Sequence, residues 1–232
     1  VEDEHLIFDV IKTAQKNEVK HTENLSFCVN VNEDKYRSKK ERRLQTRFFE
    51  ILGRVSALSF NIFEPDCNFD FLVGLIKKFH LIPAIRFGLA APLGNRNKFI
   101  APKYYSEIAN KITEFSRITG KAKIRIGLDC GFPKCMFTEE QHDAIVKSGV
   151  DLFSFDCGPT LDIYPNLEIG CCYPLSRIMR VKMSDFRNYD SLYMYWEKEM
   201  DKLKPIYNEC YDCPYYLNRE CGGGCKAHRI NG

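Results

Sequence analysis

Four short β-rich runs, each followed by a longer stretch of helical periodicity, restrict this chain more than any other feature. Leu25–Val31, Ala57–Phe63, Ala84–Ala90 and Lys123–Cys130 are apolar and rich in β-branched or aromatic residues, so they read as strands. Lys39–Leu52, Phe69–Phe79, Lys103–Thr119 and Thr138–Ser148 carry apolar residues at helical spacing, and His5–Lys16 reads as a leading helix. Thr138-Glu-Glu-Gln141 has the form of a capping box, and Gly120 and Gly149 are expected to end helices. Strand–helix units repeated in this way imply parallel strands with right-handed crossovers. About four units cannot close an eight-stranded barrel. The sheet is therefore open, or it is part of a barrel whose earlier strands lie upstream. The second arrangement leaves Leu25–Val31 as an apolar edge that calls for a partner, either a missing N-terminal segment or a second copy of the chain.

The pattern changes after Gly149. Asp151–Phe155 reads as a short strand, and Cys157-Gly-Pro follows. Leu161–Tyr164 and Leu167–Tyr173, joined at Pro165-Asn166, read as a hairpin, and Ser191–Leu203 reads as a helix. A boundary near Asp156 divides the chain into residues 1–155 and 156–232. The expected fold class is α/β: a partial parallel (β/α) barrel of about four strand–helix units, followed by a small Cys-rich α+β domain with a β-hairpin. A hydrophobic content of 44% in 232 residues supports a substantial core. A net charge of +3 gives no global signal for nucleic acid or membrane. No apolar run reaches the roughly 18 residues of a membrane span. Val-Glu-Asp-Glu-His at the start lacks the pattern of a signal peptide, and a cytoplasmic location is expected.

The chain has eleven cysteines, and the last four are Cys210-Tyr-Asp-Cys213 and, seven residues on, Cys221-Gly-Gly-Gly-Cys225. Close cysteine pairs in a Gly-rich tail have metal-ligand spacing. Soft thiolates suit zinc or iron–sulfur clusters, and glycine lets the backbone fold tightly around a site. Cys157 and Cys172 flank the hairpin, which folds their strands back together, so six thiols become ligand candidates: Cys157, Cys172, Cys210, Cys213, Cys221 and Cys225. These ligand types admit zinc, with His228 as a substitute ligand, or iron–sulfur. An odd cysteine count in a long chain argues against a disulfide framework. Cys130 and Cys135, in Cys130-Gly-Phe-Pro-Lys-Cys135 after the fourth strand, are further ligands, substrate contacts or buried apolar groups. Cys28 and Cys171 read as structural, and Cys67 as a loop residue without a role. Strand alternation turns Cys171 and Cys172 to opposite faces, and the hairpin spacing favours Cys172 as the ligand. Strand-end polar groups, chiefly Glu64, Arg86 and Asp129, are candidates for lining a pocket; each alone is more often a cap or a surface group. The basic run from Tyr36 to Arg43 reads as a solvated helix start, and no nucleic-acid partner is expected.

The stretch from Cys157 through Pro165-Asn166 to Cys171-Cys172-Tyr-Pro, followed by the CYDC and CGGGC pairs, resembles the SPASM/twitch extension of radical SAM enzymes. That extension has a cysteine, a Pro-Asp-Gly-type hairpin, a second cysteine and then C-x2-C-x5-C-x3-C, and it binds one or two auxiliary [4Fe–4S] clusters. The upstream units look like the later part of the family's partial barrel. The resemblance covers essentially the whole chain and is most specific in the tail. This sequence departs from the family in having Asn166-Leu167 in place of Asp-Gly and seven residues in the middle gap of the tail. Asp151 stands near the position of an earlier family cysteine. Family wiring would give Cys157, Cys172 and Cys225 to one cluster and Cys210, Cys213 and Cys221 to the other, each one ligand short. A single cluster on a four-cysteine subset is the alternative. The Cys-x3-Cys-x2-Cys loop that holds the cluster binding S-adenosylmethionine does not occur in this sequence.

The resemblance thus implies the C-terminal two-thirds of a radical SAM enzyme, modifying a peptide or protein once a segment binding S-adenosylmethionine is supplied. Alone, the chain is not expected to cleave S-adenosylmethionine. Two other readings stay open: a zinc-stabilised, non-catalytic binding module, and an iron–sulfur electron-transfer subunit without S-adenosylmethionine chemistry.

Overall fold

The computed structural model describes residues 26–94, 96–148 and 155–231. The leading helix expected at His5–Lys16 and most of the strand expected at Asp151–Phe155 lie outside them. Four strands, β1 (Phe27–Asn30), β2 (Ser56–Ile62), β3 (Ala84–Leu89) and β4 (Arg125–Leu128), form one sheet in chain order. They alternate with helices α1 (Lys39–Leu52), α2 (Asp70–Phe79), α3 (Tyr105–Lys121) and α4 (Glu139–Lys147). β1 pairs in parallel with β2, with Phe27 opposite Ser56 and Asn30 opposite Ser59. The order ends at β1 on one side and β4 on the other. No helix among the described residues is long and apolar enough to cross a membrane.

The chain divides into two compact units, Val1–Phe60 with Asn68–Ile85, and Asn61–Cys67 with Arg86–Gly232. In the first, Ser38 opens α1 through a capping box with Glu41, and Phe49 of α1 is buried. β2 buries Ser56, Leu58, Phe60 and Ile62, the period-2 pattern of a strand with a filled inner face. Cys28 was expected in the core but is exposed. Along β1 the residues alternate between half-buried and exposed, and Cys28 falls on the outward set with Asn30.

In the second unit α3 buries Ile108, Ile112, Phe115 and Thr119, the stripe that 3.6 residues per turn produces. Gly120 does not end this helix, which runs on to Lys121; the left-handed backbone turn falls instead at Lys123, φ 55°. The Thr138–Gln141 capping box opens α4, and Gln141 Nε2 donates to Asn110 Oδ1 of α3 at 2.6 Å. The hairpin is β5 (Asp162–Ile163) and β6 (Glu168–Gly170), closed through Pro165-Asn166 by a hydrogen bond from Leu167 N–H to the Tyr164 carbonyl at 2.9 Å. A third antiparallel strand, β7 (Arg180–Lys182), pairs with β6. α5 (Tyr189–Asp201) buries Leu192, Trp196 and Met200 in a core with Ile169, Cys171 and Leu175. Two short helices, α6 (Pro214–Leu217) and α7 (Ala227–Asn231), bracket the CGGGC segment.

Candidate metal centres

All nine cysteines from Cys130 onward, with Cys67, fall in the second unit, and all eleven in the chain are free thiols. The six C-terminal candidates separate into two groups of three. Cys157, Cys172 and Cys225 pack, half-buried, against the core of Ile169, Cys171, Leu175 and Trp196. Cys213 and Cys221 lie near enough to Cys210 to raise its thiol electrostatically. Cys210 and Cys213 are held by a 3₁₀ turn, Asn208–Asp212, with Cys213 N–H bonded to the Cys210 carbonyl at 3.1 Å. Pro214 at the first position of α6 then turns the chain, since proline suits a helix start. Phe155 and Cys221 form a parallel bridge, and Gly222 N–H donates to the Phe155 carbonyl at 2.8 Å, which lays the tail beside Cys157. Among the described residues, no three His, Cys, Asp or Glu side chains meet at one point as the ligands of a single ion would.

The tail turn depends on glycine. Gly224 has φ +75°, and a Cβ there would stand 2.2 Å from Ile206 Cδ1. Backbone amides also point at sulfur. Cys221 Sγ accepts from the N–H groups of Lys134 and Gly223, both at 3.4 Å. Cys157 accepts from the Lys226 backbone, Cys172 from Leu175, Cys225 from Ala227 and Cys210 from Tyr207. Each such bond favours the thiolate, the form that binds metal. Burial opposes them and raises the Cys157, Cys210 and Cys225 thiols above their ordinary range. Cys172 is lowered instead, because the Cys171 thiol donates to it; Cys171, fully buried, is raised by the same bond.

Cys130 and Cys135 stand one at each group. They lie on the loop after β4, whose Gly131 has φ +99°, a backbone conformation that glycine adopts without strain. A Cβ on Gly131 would be 3.4 Å from Cys225 Cβ. The two loop thiols have solvent-accessible surface, yet enough protein surrounds them to disfavour charge. Burial pushes Cys130 up to about 12, with Asp129 and the thiols of Cys157 and Cys172 adding to it. Burial likewise pushes Cys135 up to about 11, with Cys221, Cys210 and Cys213 contributing.

Arg86 Nη2 pairs with Asp129 Oδ2 at 2.6 Å, next to Cys130, whose N–H bonds Asp129 Oδ1 at 2.8 Å. Glu64 lies with Lys98 at 3.6 Å. His228 sits with Nε2 3.3 Å from the Tyr105 hydroxyl and its ring against Phe99; burial lowers it to about 4. One group went unnoticed in the sequence. Lys226 is 5% exposed, and its Nζ donates to the Met200 carbonyl at 2.7 Å; its place directly after Cys225 was the only signal. Trp196 Nε1 is buried with no hydrogen-bond partner among the described residues. An open cleft of about 570 Å³ reaches both thiol groups, lined by Cys157 and Cys221 with Asp156, Glu197, Lys198 and Lys226. Comparison with models of known protein families, with curated proteins and with solved structures finds no match.

Proposed function

We propose that the chain is an iron–sulfur protein of the radical SAM, SPASM/twitch-like group, holding auxiliary [4Fe–4S] clusters on its C-terminal thiols. The observation that carries this reading is the division of six free thiols into two groups, Cys157, Cys172 and Cys225 against Cys210, Cys213 and Cys221. The donor set fits such a group. It consists of thiols, each group is wholly or partly shielded from solvent, and backbone N–H groups are aimed at the sulfurs of both groups. Hydrogen bonds of this kind tune cluster potentials. A four-iron cluster binds each thiolate through a different iron, so its ligands need not meet at one point as those of a zinc ion do.

The parallel section of strands β1 to β4 supports a partial (β/α) barrel ahead of the cysteine domain. In this reading the substrate is a peptide or protein, and radical chemistry requires a segment that supplies the Cys-x3-Cys-x2-Cys loop. When bound, the auxiliary clusters supply one-electron chemistry or a site for substrate. The chain's own residues hold them in a shielded pocket opening on the cleft beside Cys157 and Cys221.

The test is anaerobic purification with iron, acid-labile sulfide and zinc measured on one sample. Iron and sulfide in equal amounts, with absorption that bleaches on reduction, are expected. About one zinc per chain without sulfide, the content of a structural zinc site, overturns the reading.

A further inference from the structure

Resting on the iron–sulfur reading, we propose that the loop after β4 completes two separate four-thiolate sites, Cys130 joining Cys157, Cys172 and Cys225, and Cys135 joining Cys210, Cys213 and Cys221. Family wiring leaves each set of three one ligand short, whereas [4Fe–4S] clusters are held by four cysteines. The loop lies along the CGGGC segment and runs opposite to it. Its first end meets the end of that segment, Gly131 against Cys225. Its last end meets the beginning, where Lys134 N–H donates to Cys221 Sγ at 3.4 Å. Lys134 Nζ fixes the same register through Glu220 Oε2 at 2.7 Å and lies 3.9 Å from the centre of the Tyr215 ring.

Two short segments thus lie side by side, and each contributes one thiol to each site. A C-x3-C segment spans at most about 14 Å when extended, so that length bounds how far apart the backbones at the two sites can be. Exposure differs between the ligands in a way that suits this role. Cys210 and Cys221 are buried, and Cys157, Cys172, Cys213 and Cys225 are half-buried, whereas Cys130 and Cys135 face solvent. The loop therefore closes both sites from outside, over thiols that the core already positions. Asp129, fixed by Arg86, bonds the Cys130 amide and holds the start of the loop.

The experiment uses the full 232-residue chain, reconstituted anaerobically with iron and sulfide, beside Cys130→Ala, Cys135→Ala and the control Cys28→Ala. Iron, sulfide and the electron paramagnetic resonance of oxidised and reduced samples are read. About eight iron and eight sulfide are expected in the parent chain, as two four-iron clusters require. Each loop variant should lose one cluster, or convert it to a three-iron signal, and leave the other intact. Cys28→Ala should match the parent. A parent chain that takes up no iron and sulfide overturns the underlying reading and the proposal with it. A parent that loads fully while both loop variants load equally and give unchanged spectra overturns only the proposal. A parent that loads a single cluster overturns the two-site assignment.

A second measurement does not depend on the variants folding. Thiol alkylation of the parent, read by mass spectrometry, should modify Cys130 and Cys135 in the apoprotein and spare them in the loaded protein. Cys28, exposed and outside both sites, should react in both. Equal alkylation of Cys130 and Cys135 with and without the loaded group overturns the proposal.

Discussion

Gly224 and Gly74 are the same residue type under opposite constraints. A methyl group on Gly224 would meet Ile206 Cδ1 at 2.2 Å on a backbone with φ +75°. Gly224→Ala should therefore destabilise the fold by about 1–3 kcal/mol, the cost of a strained backbone position, and lower the bound iron. Gly74 lies inside α2 with nothing within 4 Å of where a Cβ would be. Gly74→Ala should stabilise by about 0.5–1 kcal/mol through helix propensity. Urea unfolding midpoints of the two variants should move in opposite directions, and a shared direction would refute one of the two arguments. Lys226 is a third case at this scale. Its buried ammonium serves the Met200 carbonyl at 2.7 Å, and its charge also favours the thiolate at Cys157. Lys226→Met keeps the length of the side chain but removes this charged donor, leaving the carbonyl only its backbone partner, Leu203 N–H at 3.1 Å. A loss of about 1–3 kcal/mol is expected in the same assay.

Among the elements, α4 begins at a capping box that closes on both sides, Gln141 N–H to Thr138 Oγ1 at 3.2 Å and Thr138 N–H to Gln141 Oε1 at 2.9 Å. Thr138→Ala should cost about 1 kcal/mol, and Thr138→Ser should restore most of it; thermal unfolding distinguishes the two. This helix was legible in the sequence because its start signal is local, and so were β2, β3, α1 and α2, whose patterns repeat within a few residues. β7 was not legible. Arg180-Val-Lys182 is three residues with charge at both ends, and it is a strand only because β6 lies beside it. Gly120 misled for a related reason: it looks like a helix stop, but the chain reverses at Lys123. Cys28 misled because alternation does not say which face of an edge strand is covered. At the thiols, the tail spacing marked the six candidates, and the hairpin brought Cys157 towards Cys172. The register of the loop after β4 against the CGGGC segment could not be read, because spacing carries no information about contacts between distant segments.

For the molecule as a whole, the second unit carries both sets of candidate ligand thiols, and the first carries Cys28 alone. A ligand that binds only the folded state adds its binding free energy to stability. Removing iron and sulfide should therefore act unevenly. Hydrogen exchange should accelerate at the amides of the 157–225 segment, and those of β1 and the start of β2 should keep their protection. A uniform change across both units would contradict the assignment of the thiols to one of them. The contact between Lys134 and Cys221 spans 87 residues of sequence. At a synthesis rate of roughly 5–20 residues per second, the loop is made about 4–17 s before Cys221 exists. During that interval Cys130 and Cys135 wait on the ribosome as bare nascent thiols. In the two-site proposal, cluster loading therefore has to follow synthesis of the CGGGC segment rather than accompany that of the loop.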